Sequence, residues 1–291
     1  VVTQSDRLDP SPGPSSIGST PGADVTIVIP TRDRPDFLRA CLHSVLASAA
    51  EAAVDRVTTR VLVVDDASAT DETQRLCAEL GVDCLRLDVH TGPADPAVAI
   101  VRGVSQVEST WYSLFGDDDI MLPRFIRAHV AALRAGADVC ATSYRVTDAE
   151  LRPVDEVILP EAALGDLLVG TVTVNDGAMT RTDLVRGLSW DPALEKQILF
   201  PIWLELLSSG ARFTRLTEPT FLYRRHGANI SSSRTRADLA WRLRIAEPFR
   251  ERILARDGVL PSPTREPGRV TPARRPLWRR ALGRIRKRLG G

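Results

Sequence analysis

Apolar and polar positions alternate along this chain in short blocks. Val25–Ile29 is an unbroken apolar run ended by Pro30, with the length and β-branched content of a buried strand. After Thr31-Arg32-Asp33-Arg34-Pro35, the positions Phe37, Leu38, Cys41, Leu42, Val45 and Leu46 share one helical face, and Pro35 suits the first turn. Val61–Val64 is a second strand closing on Asp65-Asp66. Ser68-Ala69-Thr70-Asp71 then supplies a start signal for a helix to about Leu80. Cys84–Leu87 and Trp111–Phe115 are further strands, separated by a helix from about Pro96 to Val107. A helix from about Pro123 to Ala135 and a strand at Val139–Tyr144 follow. Strands alternating with helices predict an α/β fold with a parallel sheet and right-handed crossovers.

The pattern loosens over Arg145–Gly170. Thr171–Met179 reads as extended, Pro201–Leu207 as a buried helix carrying Trp203, and Phe213–Leu216 and Phe221–Tyr223 as two short strands. Ala237–Arg256, interrupted by Pro248, is expected to pack back on the domain. Residues 1–23 hold four prolines, three glycines and five serines, the composition of a disordered leader. No internal repeat, GxGxxG or P-loop pattern occurs.

At 43% apolar and 26% charged residues, the composition is that of a soluble globular protein. No apolar run approaches the roughly 18 residues of a membrane span, and no secretory signal is visible. Cys41, Cys77, Cys84 and Cys140 lack CxxC spacing and are expected as reduced core residues of a cytosolic protein. The net charge of +1 divides unequally. Residues 264–291 contain nine arginines and one lysine against one glutamate, giving +9 and leaving −8 for residues 1–263. A helix from Pro276 would align Trp278, Leu282, Ile285 and Leu289 opposite Arg279, Arg280, Arg284, Arg286, Lys287 and Arg288. Such a helix suits an anionic membrane surface, placing the protein at the inner face of the cell membrane. A solubilising tail is the plain alternative. A nucleic-acid arm is disfavoured because the body is acidic.

The chemistry concentrates at Gly116-Asp117-Asp118-Asp119, directly after the Trp111–Phe115 run. Three adjacent carboxylates repel, and burying one unpaired is costly. A divalent cation, magnesium or manganese, is the simplest counter-charge for hard oxygen ligands. The competing explanation is a solvated acidic turn in which Asp119 caps the helix beginning near Pro123. Asp65-Asp66 closes another strand in the same way, which an isolated acidic turn does not predict.

Four segments, Val-Thr-Ile-Val-Ile-Pro-Thr (25–31), Val-Val-Asp-Asp-Ala-Ser (63–68), Gly-Asp-Asp-Asp-Ile-Met-Leu-Pro (116–123) and Tyr-Arg-Arg-His-Gly-Ala-Asn-Ile-Ser (223–231), occur in this order. Together they resemble the family-2 glycosyltransferases with the GT-A fold, over residues 24–232. The resemblance implies a mixed, mainly parallel sheet flanked by helices; beyond it, the chain's own pattern gives a helical segment at 233–263 and a basic tail from 264. It also implies a nucleoside-diphosphate sugar donor, with UDP-sugars first among the candidates. By resemblance, Pro30, Thr31 and Arg32 would line the nucleotide pocket, and Asp66 would accept a hydrogen bond from the base. Asp118 would bind the Mn2+ or Mg2+ ion of a DxD motif. His226 would reach the metal or diphosphate from the far side. Gly116 stands where the family usually has the first aspartate, so Asp117 is expected to take over its nucleotide-facing contacts.

The chain departs from the family at the general base. Aligning Trp203-Leu204-Glu205-Leu206 and the preceding Trp190–Leu194 segment puts Ile198-Leu199 where the resemblance implies an acidic pair. Neither can take a proton. Glu195 is the first substitute and Asp176 the second, while Glu205 is expected to partner a surface arginine. The expected activity is metal-assisted, inverting transfer of a sugar to a cell-envelope glycan or lipid-linked acceptor. The alternative is a non-catalytic nucleotide-sugar-binding subunit. A sugar nucleotidyltransferase is disfavoured, since no glycine-rich loop with a basic residue lies near the first strand.

Overall fold

The central strand β1 (Val25–Thr31) lies between two parallel neighbours, β2 (Thr59–Asp65) and β4 (Trp111–Leu114), with β3 (Asp83–Arg86) outside β2. The computed structural model describes residues 22–90, 96–171, 173–175, 177–190, 198–227, 229 and 236–264. Asp176, Glu195, the leader except its last two residues and the tail beyond Thr264 lie outside the described residues. The apolar runs are unbroken because both sheet faces are covered. Val25, Ile27, Ile29, Val61 and Val63 face a core with α1 (Pro35–Ala53) and α2 (Glu72–Leu80). Val28, Leu62 and Val64 face the opposite core with α3 (Ala97–Ser105). Gly103 brings α3 close to the sheet: a Cβ there would sit 2.5 Å from Val28 Cγ1 and 2.9 Å from Val64 Cγ2.

Beyond β4 the chain forms β5 (Ile120–Met121), α4 (Phe125–Arg134), β6 (Val139–Thr147) and β7 (Pro153–Val157). These are followed by α5 (Leu164–Leu168), β8 (Met179–Arg181), α6 (Thr182–Val185), α7 (Leu199–Ser208), β9 (Phe213–Arg224) and α8 (Arg236–Asp257). Among the described residues the sheet runs β3-β2-β1-β4-β8-β6-β9-β5, with β7 paired to β6. β8 is antiparallel to both β4 and β6, and so joins the parallel half to the parallel β6–β9 pair. The expected α/β organisation is present.

Several elements differ from the sequence expectation. The two expected strands at Phe213–Leu216 and Phe221–Tyr223 are one strand, β9. Its register with β6 slips between Thr142↔Leu216 and Tyr144↔Phe221, so the polar Thr217-Glu218-Pro219 is an irregularity and not a turn. Of the expected extended stretch Thr171–Met179, only Met179 is strand among the described residues. The loose stretch 145–170 contains a hairpin turned at Asp148, whose carboxylate accepts the N–H groups of Glu150 (3.1 Å) and Arg152 (2.8 Å). Helix α8 continues through Pro248. Proline removes one hydrogen bond from a helix interior, yet Ala246 and Ile253 on either side are both buried, and α8 lies against α5 and α7.

Candidate active site

The sheet delivers its acidic residues to one edge. Phe115, just past β4, still donates its N–H to Val28 O at 3.0 Å, so the chain leaves the sheet at Gly116. A Cβ on Gly116 would lie 3.0 Å from Asp118 Oδ1 and 3.4 Å from Asp119 Oδ2. This turn folds the following carboxylates back over residue 116, which favours a glycine there.

The three aspartates have three environments. Asp117 points inward, accepting a hydrogen bond from Thr31 Oγ1 at 2.7 Å, with Arg34 at 3.4 Å. Burial, followed by the adjacent Asp118 charge, pushes its carboxyl up to about 6, against the opposing pull of Thr31 and Arg34. Asp119 is also buried and accepts the Arg224 N–H at 3.0 Å, tying the end of β9 to the turn. It therefore does not cap α4, whose N-cap residue is Arg124.

Asp118 gathers its contacts on Oδ2: His226 Nε2 at 2.8 Å, and Asn229 Nδ2 and Arg34 at 3.4 Å each. Its Oδ1 has no partner among the described residues. His226 is fixed from two sides. Its backbone N–H donates to Asn229 Oδ1 at 2.6 Å, and its ring stacks on Phe37 with centroids 4.7 Å apart. The Arg224 guanidinium lies 5.0 Å from the Phe37 ring centre, within cation–π range.

A second patch lies along β2. Asp66 donates its backbone N–H to Thr31 O at 2.9 Å, and its Oδ2 is 2.7 Å from His90 Nδ1. Asp65, fully buried, accepts from Ser68 N (3.0 Å) and Gln74 Nε2 (2.7 Å), with Arg86 at 3.4 Å. It is a structural anchor of the loop after β2. Asp33 closes the facing loop by accepting the Ala69 N–H at 2.7 Å and donating its own N–H to Ser68 Oγ at 2.9 Å.

Thr31, Asp117, Asp118 and His226 thus form one contiguous cluster, and Asp66 joins it through the Thr31 backbone. Pro30, half-buried, precedes Thr31 in β1 opposite Val64. Arg32 pairs with Asp33 at 3.5 Å, and Arg34 is the arginine that reaches the carboxylates. Arg34, Phe37, Arg224, Asn229 and His90 are participants that sequence reasoning passed over. Arg34 and Phe37 flank Pro35 and look like helix-start residues, while His90 sits in an unpatterned loop. No group of three or more His, Cys, Asp or Glu side chains able to hold a metal occurs among the described residues.

On the other side of the sheet, Ile198 and Leu199 open α7 and are 2% and 8% exposed. Glu205 accepts a hydrogen bond from Arg252 at 2.7 Å. Asp176 and Glu195 themselves lie outside the described residues.

The family model described as "Glycosyl transferase family 2" matches residues 26–180, more than half of the chain. The chain belongs to glycosyl transferase family 2. The match takes in β1 through the Asp117–Asp119 turn to β8 and stops before His226. Among solved structures, S. aureus TarS 1–349 in complex with UDP is similar at 16% identity and a TM-score of 0.58, over 79% of this chain and 65% of that one. The same fragment in complex with UDP-GlcNAc is similar at 18% identity and a TM-score of 0.55, over 80% and 73%. A third structure, TarS 1–349 alone, is covered over 60% of its length, so the chain spans less than two thirds of that relative. At this identity the likeness is one of fold, the GT-A type. No curated protein sequence matches the chain. Among the described residues no helix is long and apolar enough to cross a membrane.

Proposed function

We propose that this family-2 member transfers a sugar, with inversion, from a nucleoside-diphosphate sugar, UDP-sugars first, to a cell-envelope glycan or lipid-linked acceptor. The observation that carries the reading is the cluster of Thr31, Asp117, Asp118 and His226 at the C-terminal strand ends, where open α/β sheets bind ligands. Asp66 would accept the base N–H. Pro30 and Thr31 would flank the nucleotide, with Arg32 at the pocket mouth and Asp117 on its polar side. TarS structures with UDP and UDP-GlcNAc bound support a donor of this class.

The donor set suits a small hard cation. Asp118 Oδ2 and His226 Nε2 hydrogen-bond at 2.8 Å and would hold the cation in place of the shared proton. Among the described residues two metal-ligating side chains converge there, which suits a cation completed by substrate phosphates. A bound Mn2+ or Mg2+ would stabilise the charge that develops on the diphosphate leaving group. Phe37 stacks on the His226 ring, Asn229 holds the His226 backbone N–H, and Arg34 supplies positive charge beside the same carboxylates. Glu195, or Asp176 in its place, would take the proton of the acceptor hydroxyl. The basic tail would bring the domain to an anionic membrane surface bearing the acceptor.

A second reading rests on one observation. Where the family resemblance implies an acidic pair, Ile198 and Leu199 are buried and apolar, which favours a binding subunit that holds donor without turnover. A donor-hydrolysis screen over UDP-, GDP- and dTDP-sugars, with and without manganese, separates the two. Metal-dependent release of nucleotide supports the transferase. Tight nucleotide binding with no release under any condition supports the binding subunit.

A further inference from the structure

We infer that His90 is a specificity-determining residue of the nucleotide site, acting as a positioning residue that aims the Asp66 carboxylate at an imide N–H. The inference rests on the assignment of Asp66 to the base. His90 Nδ1 lies 2.7 Å from Asp66 Oδ2. An ionised carboxylate only accepts, so Nδ1 carries the proton in this pair and one of the two oxygens is committed. The other, Oδ1, is buried with no hydrogen-bond partner, in a residue only 4% exposed. A buried carboxylate oxygen left unpaired is costly, and among the described residues no hydrogen bond uses it. His90 Nε2 is likewise buried without a partner, so among the described residues Asp66 is the ring's one hydrogen-bond partner. The backbone bond from Asp66 N to Thr31 O fixes this pair against the strand end that also holds Asp117.

One fixed acceptor discriminates between pyrimidines. Uracil presents N3–H, a donor, to Oδ1. Cytosine presents a lone pair at N3, and acceptor would face acceptor. With His90 absent the carboxylate could rotate, use either oxygen and reach the cytosine amino group. His90 therefore sharpens a preference for uracil that Asp66 alone leaves loose.

Calorimetry with UDP and with CDP on the parent, His90→Ala, His90→Asn and Asp66→Asn tests this. The parent should prefer UDP. His90→Ala should weaken UDP by about tenfold, the scale of one hydrogen bond to a charged group, while CDP holds or gains, so the affinity ratio collapses. His90→Asn, whose amide can donate from nearly the same place, should restore the ratio. An unchanged ratio in His90→Ala would overturn the inference, as would a His90→Asn ratio no better than that of the alanine variant. If Asp66→Asn also leaves the ratio intact, the base assignment itself is wrong. If Asp66→Asn collapses it and His90→Ala does not, only the role of His90 fails. Equal loss of both nucleotides in His90→Ala would indicate a merely structural residue.

Discussion

Asp118 Oδ2 and His226 Nε2 are 2.8 Å apart although 108 residues separate them in the chain. The contact joins the turn after β4 to the end of β9, two elements that the sheet brings to the same edge through β8 and β6. It also makes the first prediction specific. Asp118→Asn keeps the size of the side chain and removes one charge from the pair. Calorimetry should show manganese-dependent UDP binding weakened by at least about tenfold, roughly 1.4 kcal/mol. The thermal melt should stay near that of the parent. Unchanged affinity would reduce the acidic run to a turn.

Much of this edge was legible because strand ends announce themselves. Val25–Thr31 and Val61–Asp66 are apolar runs closed by polar residues, and a sheet covered on both faces leaves such runs no other place. Asp118 and His226 carried a family resemblance. Arg34 and Phe37 did not, and Asn229, though inside the 223–231 motif, showed no role of its own, since these roles arise from a tertiary meeting of the α1 N-terminus with the chain after β9. Asp119 illustrates the limit. Its position before a helix suggests a cap, yet the Arg224 N–H lies nearer to hand. The β9 irregularity was equally hidden, because Thr217-Glu218-Pro219 has the composition of a turn.

Gly103 should resist substitution. Its missing Cβ would meet branched methyls of Val28 and Val64, both held in central strands. Alanine gains about 1 kcal/mol in helix propensity. Overpacking a strand-helix contact costs about 1–3 kcal/mol, and the stiffness of valine puts the cost at the upper end. Gly103→Ala should therefore lower the urea midpoint by an amount equivalent to about 1–2 kcal/mol. A midpoint at or above that of the parent would mean α3 shifts freely.

His129 gives the fold an acid-sensitive element. It is fully buried against Phe125, with its Nδ1 2.7 Å from Phe125 O, and burial lowers its pKa from 6.5 to about 4. Between those values the unfolded chain binds a proton that the folded protein does not. Stability therefore falls as pH drops from about 6.5 to about 4, and this contribution is flat above that window. The full effect is roughly 3 kcal/mol at most. His129→Asn keeps a donor for the carbonyl and removes the titration. Its unfolding free energy should fall less than the parent's between pH 7 and pH 4.5. Parallel slopes would show that His129 opens to solvent before it matters.

Truncation after Thr264 tests the basic tail without disturbing the body. Thr264 donates its N–H (2.8 Å) and its hydroxyl (2.5 Å) to the buried Asp166 carboxylate, so that anchor should stay in place. The shortened protein should keep its melting temperature and lose sedimentation with phosphatidylserine vesicles at physiological salt. Each basic residue at such a surface contributes about 1 kcal/mol. Equal vesicle binding by the truncated protein would rule out the membrane role.

The last prediction concerns the proton. A general base contributes about two to four powers of ten and must reach the acceptor hydroxyl. Ile198 and Leu199 cannot serve, and both are already committed to the core at the start of α7. Glu195 lies three residues before Ile198 in the chain and is the nearest preceding carboxylate. Glu205 is drawn away into its pair with Arg252. Glu195→Gln should therefore lower kcat by about a hundredfold or more while leaving donor affinity within a factor of about two, since a base acts on the acceptor in the transition state. Asp176→Asn is the parallel measurement for the second candidate. A fully active Glu195→Gln protein with an inactive Asp176→Asn protein would move the assignment to Asp176. Full activity in both would mean that metal and positioning alone drive the transfer. A parent that binds UDP and never turns over would leave the binding subunit as the reading that accounts for the buried, apolar Ile198-Leu199.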